Sequence, residues 1–161
     1  QTISHTDFSS REDFDQALTE RVLSIEPDLV VLAGFMRILT TQFTNAFAGK
    51  LINIHPSLLP EYPGLDTHKQ ALENGDLMHG ATIHYVDEGL DSGPIIAQGA
   101  LKIDPSQSEA KLAQRIHKIE HALLPKVIAE ISKGLISLKG KEVKFESKSY
   151  FGKNNMEFFN V

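Results

Sequence analysis

The chain has 161 residues, a formal net charge of −5, 41% hydrophobic residues and no cysteine. That length suits one domain, and a balance of this kind describes an ordinary globular protein. Without cysteine there is no disulfide framework, thiolate metal site or thiol nucleophile; the acidic balance argues against a nucleic-acid partner, and no apolar run nears the roughly 20 residues that span a bilayer.

Ser9 or Ser10 can cap a first helix, with Glu12 and Asp13 in its first turn. Phe14, Leu18, Val22 and Ile25 recur at helical spacing as one apolar stripe, and Pro27-Asp28 ends the helix. Leu29 to Ala33 is a continuous apolar run of strand length, the signature of a parallel strand buried on both faces. A loop from Gly34 to Leu39 follows, then a short helix over 41–48 with Gly49 as its C-terminal cap. The next strand, from Leu51, is then joined to the first by a helical crossover, which implies a right-handed parallel pair. Three prolines between His55 and Gly64 mark an ordered loop. A helix over 67–74 closed by Gly75 and two strands over 81–86 and 94–103 come next. Ser106-Gln107-Ser108-Glu109 reads as a capping box for the longest helix, which runs to about Lys133. Leu112, Ile116, Ile119, Leu123 and Val127 give that helix its buried stripe, Pro125 is expected to kink it, and Gly134 stops it. Residues 133–153 hold six lysines against two glutamates, in a short strand pair followed by a polar tail. The expected organisation is a main unit over 1–134 and a C-terminal strand pair with a basic tail over 135–161.

The chain is organised around Leu51-Ile52-Asn53-Ile54-His55-Pro56-Ser57-Leu58-Leu59-Pro60. In a strand, residues i and i+2 face the same way, so Asn53 and His55 project together with Cα atoms about 6.6 Å apart. An amide and an imidazole at a strand's carboxyl end lie where open α/β sheets hold ligands, or they merely satisfy the backbone of a turn. Arg37 is either a solvated loop charge or, through its rigid donor fork, a contact for an anion. Asp91, between Gly89 and Gly93, either bonds its own turn or faces a site. Arg11 opposes the dipole at a helix start, a weak pointer to an anionic ligand. His117-Lys118-Ile119-Glu120-His121 matches the H-x-x-E-H pattern of inverted zinc peptidases, although a third ligand would have to come from the 40 residues after it.

Several segments together carry a resemblance. Asn53-Ile-His55-Pro-Ser-Leu-Leu-Pro60, Tyr62-Pro-Gly-Leu65, Thr67-His68, His79-Gly80 and Leu90-Asp91-Ser92-Gly93-Pro94 closely resemble the glycinamide ribonucleotide formyltransferase family, as do Ala33 to Leu39 and Glu120-His121-Ala122. The likeness covers about Arg11 to Gly134 and explains the His117–His121 pattern better than zinc does. Methionyl-tRNA formyltransferase and formyltetrahydrofolate deformylase share the Ser-Leu-Leu-Pro-like loop and the catalytic trio but differ after it, and the first carries an extra tRNA-binding domain.

The resemblance implies an α/β fold of the Rossmann-like formyltransferase kind, a mainly parallel twisted sheet flanked by helices with an antiparallel contribution from 81–103. It implies transfer of a formyl group from 10-formyltetrahydrofolate to the amine of glycinamide ribonucleotide, a step of purine synthesis, with no metal. By the same likeness Asn53, His55 and Asp91 are catalytic, with Asn53 also touching the formyl donor. Met36, Arg37, Ile38 and Leu39 wall the pterin, Arg11 lies near the folate's glutamate tail, and Glu120 holds the ribose of the nucleotide. Small-molecule partners, a cytoplasmic location and a monomer or homodimer are the accompanying expectations. One departure is that the family's opening strand and its Gly-Ser-Asn phosphate loop are not in this sequence, which starts at Gln1. The first βα unit is therefore expected to be missing, and a formyltetrahydrofolate hydrolase or an inactive folate-binding fragment stand as alternatives.

Overall fold

The computed structural model describes residues 2–161. In chain order its elements are α1 (Arg11–Leu23), β1 (Val30–Leu32), α2 (Thr41–Ala46), β2 (Leu51–His55), α3 (Thr67–Glu73), β3 (Met78–Tyr85), β4 (Ile95–Lys102), α4 (Glu109–Ser132), β5 (Ile136–Lys139), β6 (Glu142–Phe145) and β7 (Met156–Phe158). Five strands form one sheet in the order β1-β2-β3-β4-β7, and β5 pairs separately with β6. The sheet is mixed. β1 runs parallel to β2, as the helical crossover through α2 requires, whereas β2, β3 and β4 form an antiparallel meander.

The stripe on α4 decides how the sheet is covered. Leu123 and Val127 join the cluster of Ile52, Ile83, Tyr85 and Ile96, while Leu112, Ile116 and Ile119 join that of Ala81, Leu101 and Ile103. One helix thus seals two neighbouring patches of core, and each fully buried Leu or Ile contributes roughly 1.5–3 kcal/mol. A third cluster of Phe43, Phe47 and Leu51 receives Leu18 and Val22 of α1. Ser10 caps that helix by accepting the Asp13 N–H at 3.0 Å.

Four expectations need correction. The α1 stripe stops at Val22, because the helix ends at Leu23 and Ile25, beyond it, is 62% exposed. β1 is only half-buried, since it is the edge strand of the sheet among the described residues. The α4 cap is Ser108, which accepts the Lys111 N–H, while Ser106 turns back to donate to Asp104. The polar tail is not loose. Met156–Phe158 adds a fifth strand, parallel to β4, fixed by Gln98 N–H to Asn155 O and Phe159 N–H to Ala100 O, both 2.7 Å. Three residues are too few to show strand periodicity, and it is the open edge of β4 that makes them a strand.

β3 and β4 approach so closely at Gly80 that a Cβ there would lie 2.0 Å from the Gly99 carbonyl oxygen and 2.6 Å from Leu58. Backbone cannot yield as a side-chain tip does, so Gly80→Ala is expected to cost about 2–3 kcal/mol. Urea unfolding of the variant beside the parent checks this; a midpoint shift worth under about 0.5 kcal/mol, the range of ordinary surface substitutions, would mean that the strands are not so closely held.

Candidate active site

β2 is buried on both faces and ends at His55, where Pro56 stops the ladder. Its register places Asn53 directly opposite His84 of β3 and His55 opposite Thr82. Polar side chains from two strands therefore meet at one end of the sheet.

Asp91 arrives from the loop between β3 and β4. That loop is held from elsewhere: Asp87 Oδ1 accepts the Gly89 N–H at 3.0 Å and the Ser92 hydroxyl at 2.8 Å. Gly93 packs so tightly that a Cβ would meet the Tyr85 carbonyl oxygen at 1.8 Å. Asp87, not Asp91, supplies the local turn bonds. Asp91 itself adopts a left-handed backbone, φ 48°, which aspartate tolerates better than most residues, and its carboxylate turns inward.

Four groups converge on that carboxylate. The Gly64 N–H donates to Oδ2 at 2.9 Å and the Asn53 amide to Oδ1 at 3.3 Å. His55 Nδ1 lies 3.3 Å from Oδ2 and His84 Nε2 3.6 Å from Oδ1. Burial by itself would raise the Asp91 pKa, but the His84 contact, the Gly64 N–H and the nearby imidazoles together outweigh it and hold the carboxyl below the usual range.

Carbonyl partners settle the histidine protons. His55 Nε2 sits 2.7 Å from the Tyr62 carbonyl oxygen, which can only accept, so Nε2 carries a proton. His55 Nδ1 then faces an ionised carboxylate, and the 3.3 Å contact is attractive only when a second proton lies between them. His84 Nδ1–H likewise donates to the Tyr85 carbonyl at 2.9 Å, and its Nε2 stands between the Asn53 amide nitrogen at 3.3 Å, from which the neutral ring accepts, and Asp91 Oδ1 at 3.6 Å, to which the protonated ring donates.

This constellation opens on a cavity of about 700 Å³, a size typical of small-molecule sites. Phe35, Met36, Ile38 and Leu39 supply an apolar wall, and Leu65 and Leu90 also line the cavity. Arg37 also lines it, its guanidinium 5.2 Å above the Phe14 ring. Behind that wall the nearly buried Asp15 accepts the Thr40 N–H at 2.5 Å and ties the loop to α1.

Of the residues singled out in the sequence, Asn53, His55, Asp91 and Met36 to Leu39 meet at the cavity, and two do not. Arg11 is exposed at the start of α1, 3.5 Å from Glu12. Glu120 lies on α4, 3.9 Å from His117, with burial raising its pKa. Both are outside the cavity lining because α1 and α4 present those faces elsewhere. His117 and His121 stack at 6.5 Å, and among the described residues no group of three or more ligating side chains could hold a metal ion. Sequence reasoning missed His84 and Gly64. The first could have been found from strand alternation, which puts Thr82 and His84 on one face; the second contributes only a backbone N–H, which no side chain announces.

The family described as formyl transferase matches residues 1–128. The chain is 52% identical over 132 residues to the trifunctional purine biosynthetic protein adenosine-3 of Drosophila melanogaster, covering 82% of this chain and 10% of that one. It is 47% identical over 137 residues to phosphoribosylglycinamide formyltransferase of Escherichia coli, covering 85% of this chain and 65% of that one. The solved phosphoribosylglycinamide formyltransferase of Coxiella burnetii superposes with a TM-score of 0.85 at 39% identity, over 97% of this chain and 72% of that one.

Beside the cavity, His79 is buried. Its Nε2 lies in hydrogen-bond contact with His68 Nδ1 at 3.0 Å, and the Pro56 carbonyl lies beside its ring. Burial above all, then the neighbouring His68, lowers its pKa from 6.5 to about 4. Between those values the unfolded chain binds a proton that the native state refuses. The stabilisation is therefore whole above pH 6.5 and is lost as pH falls towards about 4, with a slope of at most about 1.4 kcal/mol per pH unit. His79→Asn, which keeps a donor beside Pro56, is expected to flatten that part of the stability profile. Unfolding titrations from pH 4 to 7 read it, and equal slopes in parent and variant would mean that His79 does not titrate this way.

Proposed function

The chain belongs to the formyl transferase family, and from that premise we propose that it transfers the formyl group of 10-formyltetrahydrofolate to the amine of glycinamide ribonucleotide. It spans 65% of the Escherichia coli relative and a tenth of the Drosophila one. The observation that carries the reading is the convergence of Asn53 and His55 on Asp91, each 3.3 Å from its carboxylate, at the edge of an apolar cavity.

The cavity suits the donor. A flat heteroaromatic ring fits against the Met36–Leu39 wall, whose backbone groups can pair with its polar edge. The donor supplies the formyl carbon, and the protein must manage one negative charge and one proton. A new bond forms between the amine nitrogen and the formyl carbon, the bond from that carbon to the folate nitrogen breaks, and a proton passes from the amine to the folate nitrogen. Asn53 answers the charge on the formyl oxygen. Its two amide protons are engaged at 3.3 Å by Asp91 and His84, long contacts that one of them can leave for the oxyanion. His55 answers both needs, since its Nδ1 proton adds positive charge at the cleft and can be given to the leaving nitrogen. Asp91, kept ionised and 3.3 Å from His55 Nδ1, orients that ring and accepts the amine's proton directly or through water. In the complete site Arg11 is assigned to the glutamate tail of the folate and Glu120 to the ribose.

Asp91→Asn tests the assignment. Asparagine is nearly isosteric and tolerates the left-handed backbone, so the fold is expected to survive. It cannot hold charge, so turnover by the full-length protein should fall about 10²–10⁴-fold, with far less change in KM for the folate donor. Formylation of glycinamide ribonucleotide is measured beside thermal unfolding. A variant keeping more than about a tenth of parental turnover, a loss under 1.4 kcal/mol, would remove Asp91 from the mechanism. Consumption of the donor without amine formylation by the parent would overturn the proposed reaction.

A further inference from the structure

His55 has one partner whose own restraint is unusual. Tyr62, whose carbonyl oxygen takes the Nε2 proton, has a left-handed backbone with φ 54° although it precedes Pro63. Proline crowds the residue before it away from helical conformations, and a Cβ makes the left-handed region costly, so this carbonyl would not point at His55 without restraint. The restraint is at the far end of the side chain. The Tyr62 hydroxyl donates to Asp76 Oδ2 at 2.6 Å and accepts from the Asn74 amide at 2.8 Å. Asn74 and Asp76 sit in the turn that closes α3, itself held by the Asp76 N–H on the Ala71 carbonyl at 3.1 Å. The Tyr62 ring meets His79 edge-on, with centroids 6.4 Å apart.

We propose that Tyr62 is a positioning residue for His55: clamped through its phenol between Asp76 and Asn74, it keeps its carbonyl on Nε2 and so confines the exchangeable proton of His55 to Nδ1, the nitrogen facing Asp91. With Nε2 permanently protonated, every proton that His55 gains or loses passes on the side of the cleft. Freed of the carbonyl, the neutral imidazole could carry its single proton on either nitrogen, and a share of the molecules would present the wrong one. This role rests on the formyl-transfer reading for its effect on rate, but the tautomer itself does not depend on it.

The test is nitrogen NMR of ¹⁵N-histidine-labelled full-length protein, with steady-state kinetics on the same samples. In the parent, His55 Nε2 should stay protonated across the titration while Nδ1 alone exchanges. In Tyr62→Phe both nitrogens should report mixed protonation, turnover should fall about tenfold, and KM for the folate donor should change less than about twofold, since a mis-set proton reduces general acid–base catalysis without touching the pterin wall. Asp76→Ala removes the acceptor from the other side and gives the same reading should Tyr62→Phe fail to fold. Asp76→Asn, which still offers the phenol an acceptor, should restore the single tautomer. If Nε2 stays fully protonated in both Tyr62→Phe and Asp76→Ala, the proposal is overturned, and so it is if KM rises as much as kcat falls. A parent without formyltransferase activity would sink the proposed reaction while leaving the nitrogen shifts readable.

Discussion

The carboxylate of Asp91 is the point at which separate parts of the chain are made to agree. It lies in the β3–β4 loop, yet it is reached by a backbone N–H from the loop after β2, an amide and an imidazole from β2 and a second imidazole from β3. A partly buried charge is tolerated only when its lone pairs are satisfied, so each of these elements is fixed relative to the others by the need to serve it. The left-handed backbone at Asp91 is part of the same arrangement. That conformation persists because Asp87, Ser92 and the close packing at Gly93 over-determine the loop around it.

Chemistry and architecture share these contacts. The polar cluster occupies the end of β2 and β3, while the length of the same strands is sealed by α4 and filled with Ile and Leu. A rigid apolar platform thereby presents a few polar groups at one rim, which is how pre-organised donors avoid having to reorient during a reaction. The wall from Phe35 to Leu39 is less embedded. It follows a strand that is half-buried, Leu39 packs against the Phe43–Phe47–Leu51 cluster, and Asp15 on the Thr40 N–H and Arg37 over Phe14 add single contacts. A loop with few buried contacts is the part of a site best able to adjust to what enters it.

The sequence by itself determined the pattern of elements and the identity of the polar residues at their ends. The α4 stripe, the β2 strand stopped by a proline, and the projection of Asn53 and His55 to one side follow from periods of 3.6 and 2, which are properties of the local backbone. The resemblance added the family and the pairing of Asn53 and His55 with Asp91. Everything that depends on which strand lies beside which was decided only by the tertiary structure. His84 enters the cluster because β3 pairs antiparallel with β2 in a register that sets it opposite Asn53. Gly64 and Tyr62 enter through backbone groups, invisible in a residue type. The tail became β7 because β4 offered an open edge, and Arg11 and Glu120 lie outside the cavity lining because a helix face is set by packing. Local sequence fixes what a segment can become, whereas register, edge pairing and the aim of a loop carbonyl are set by contacts between residues far apart in the chain, which no short window of sequence contains.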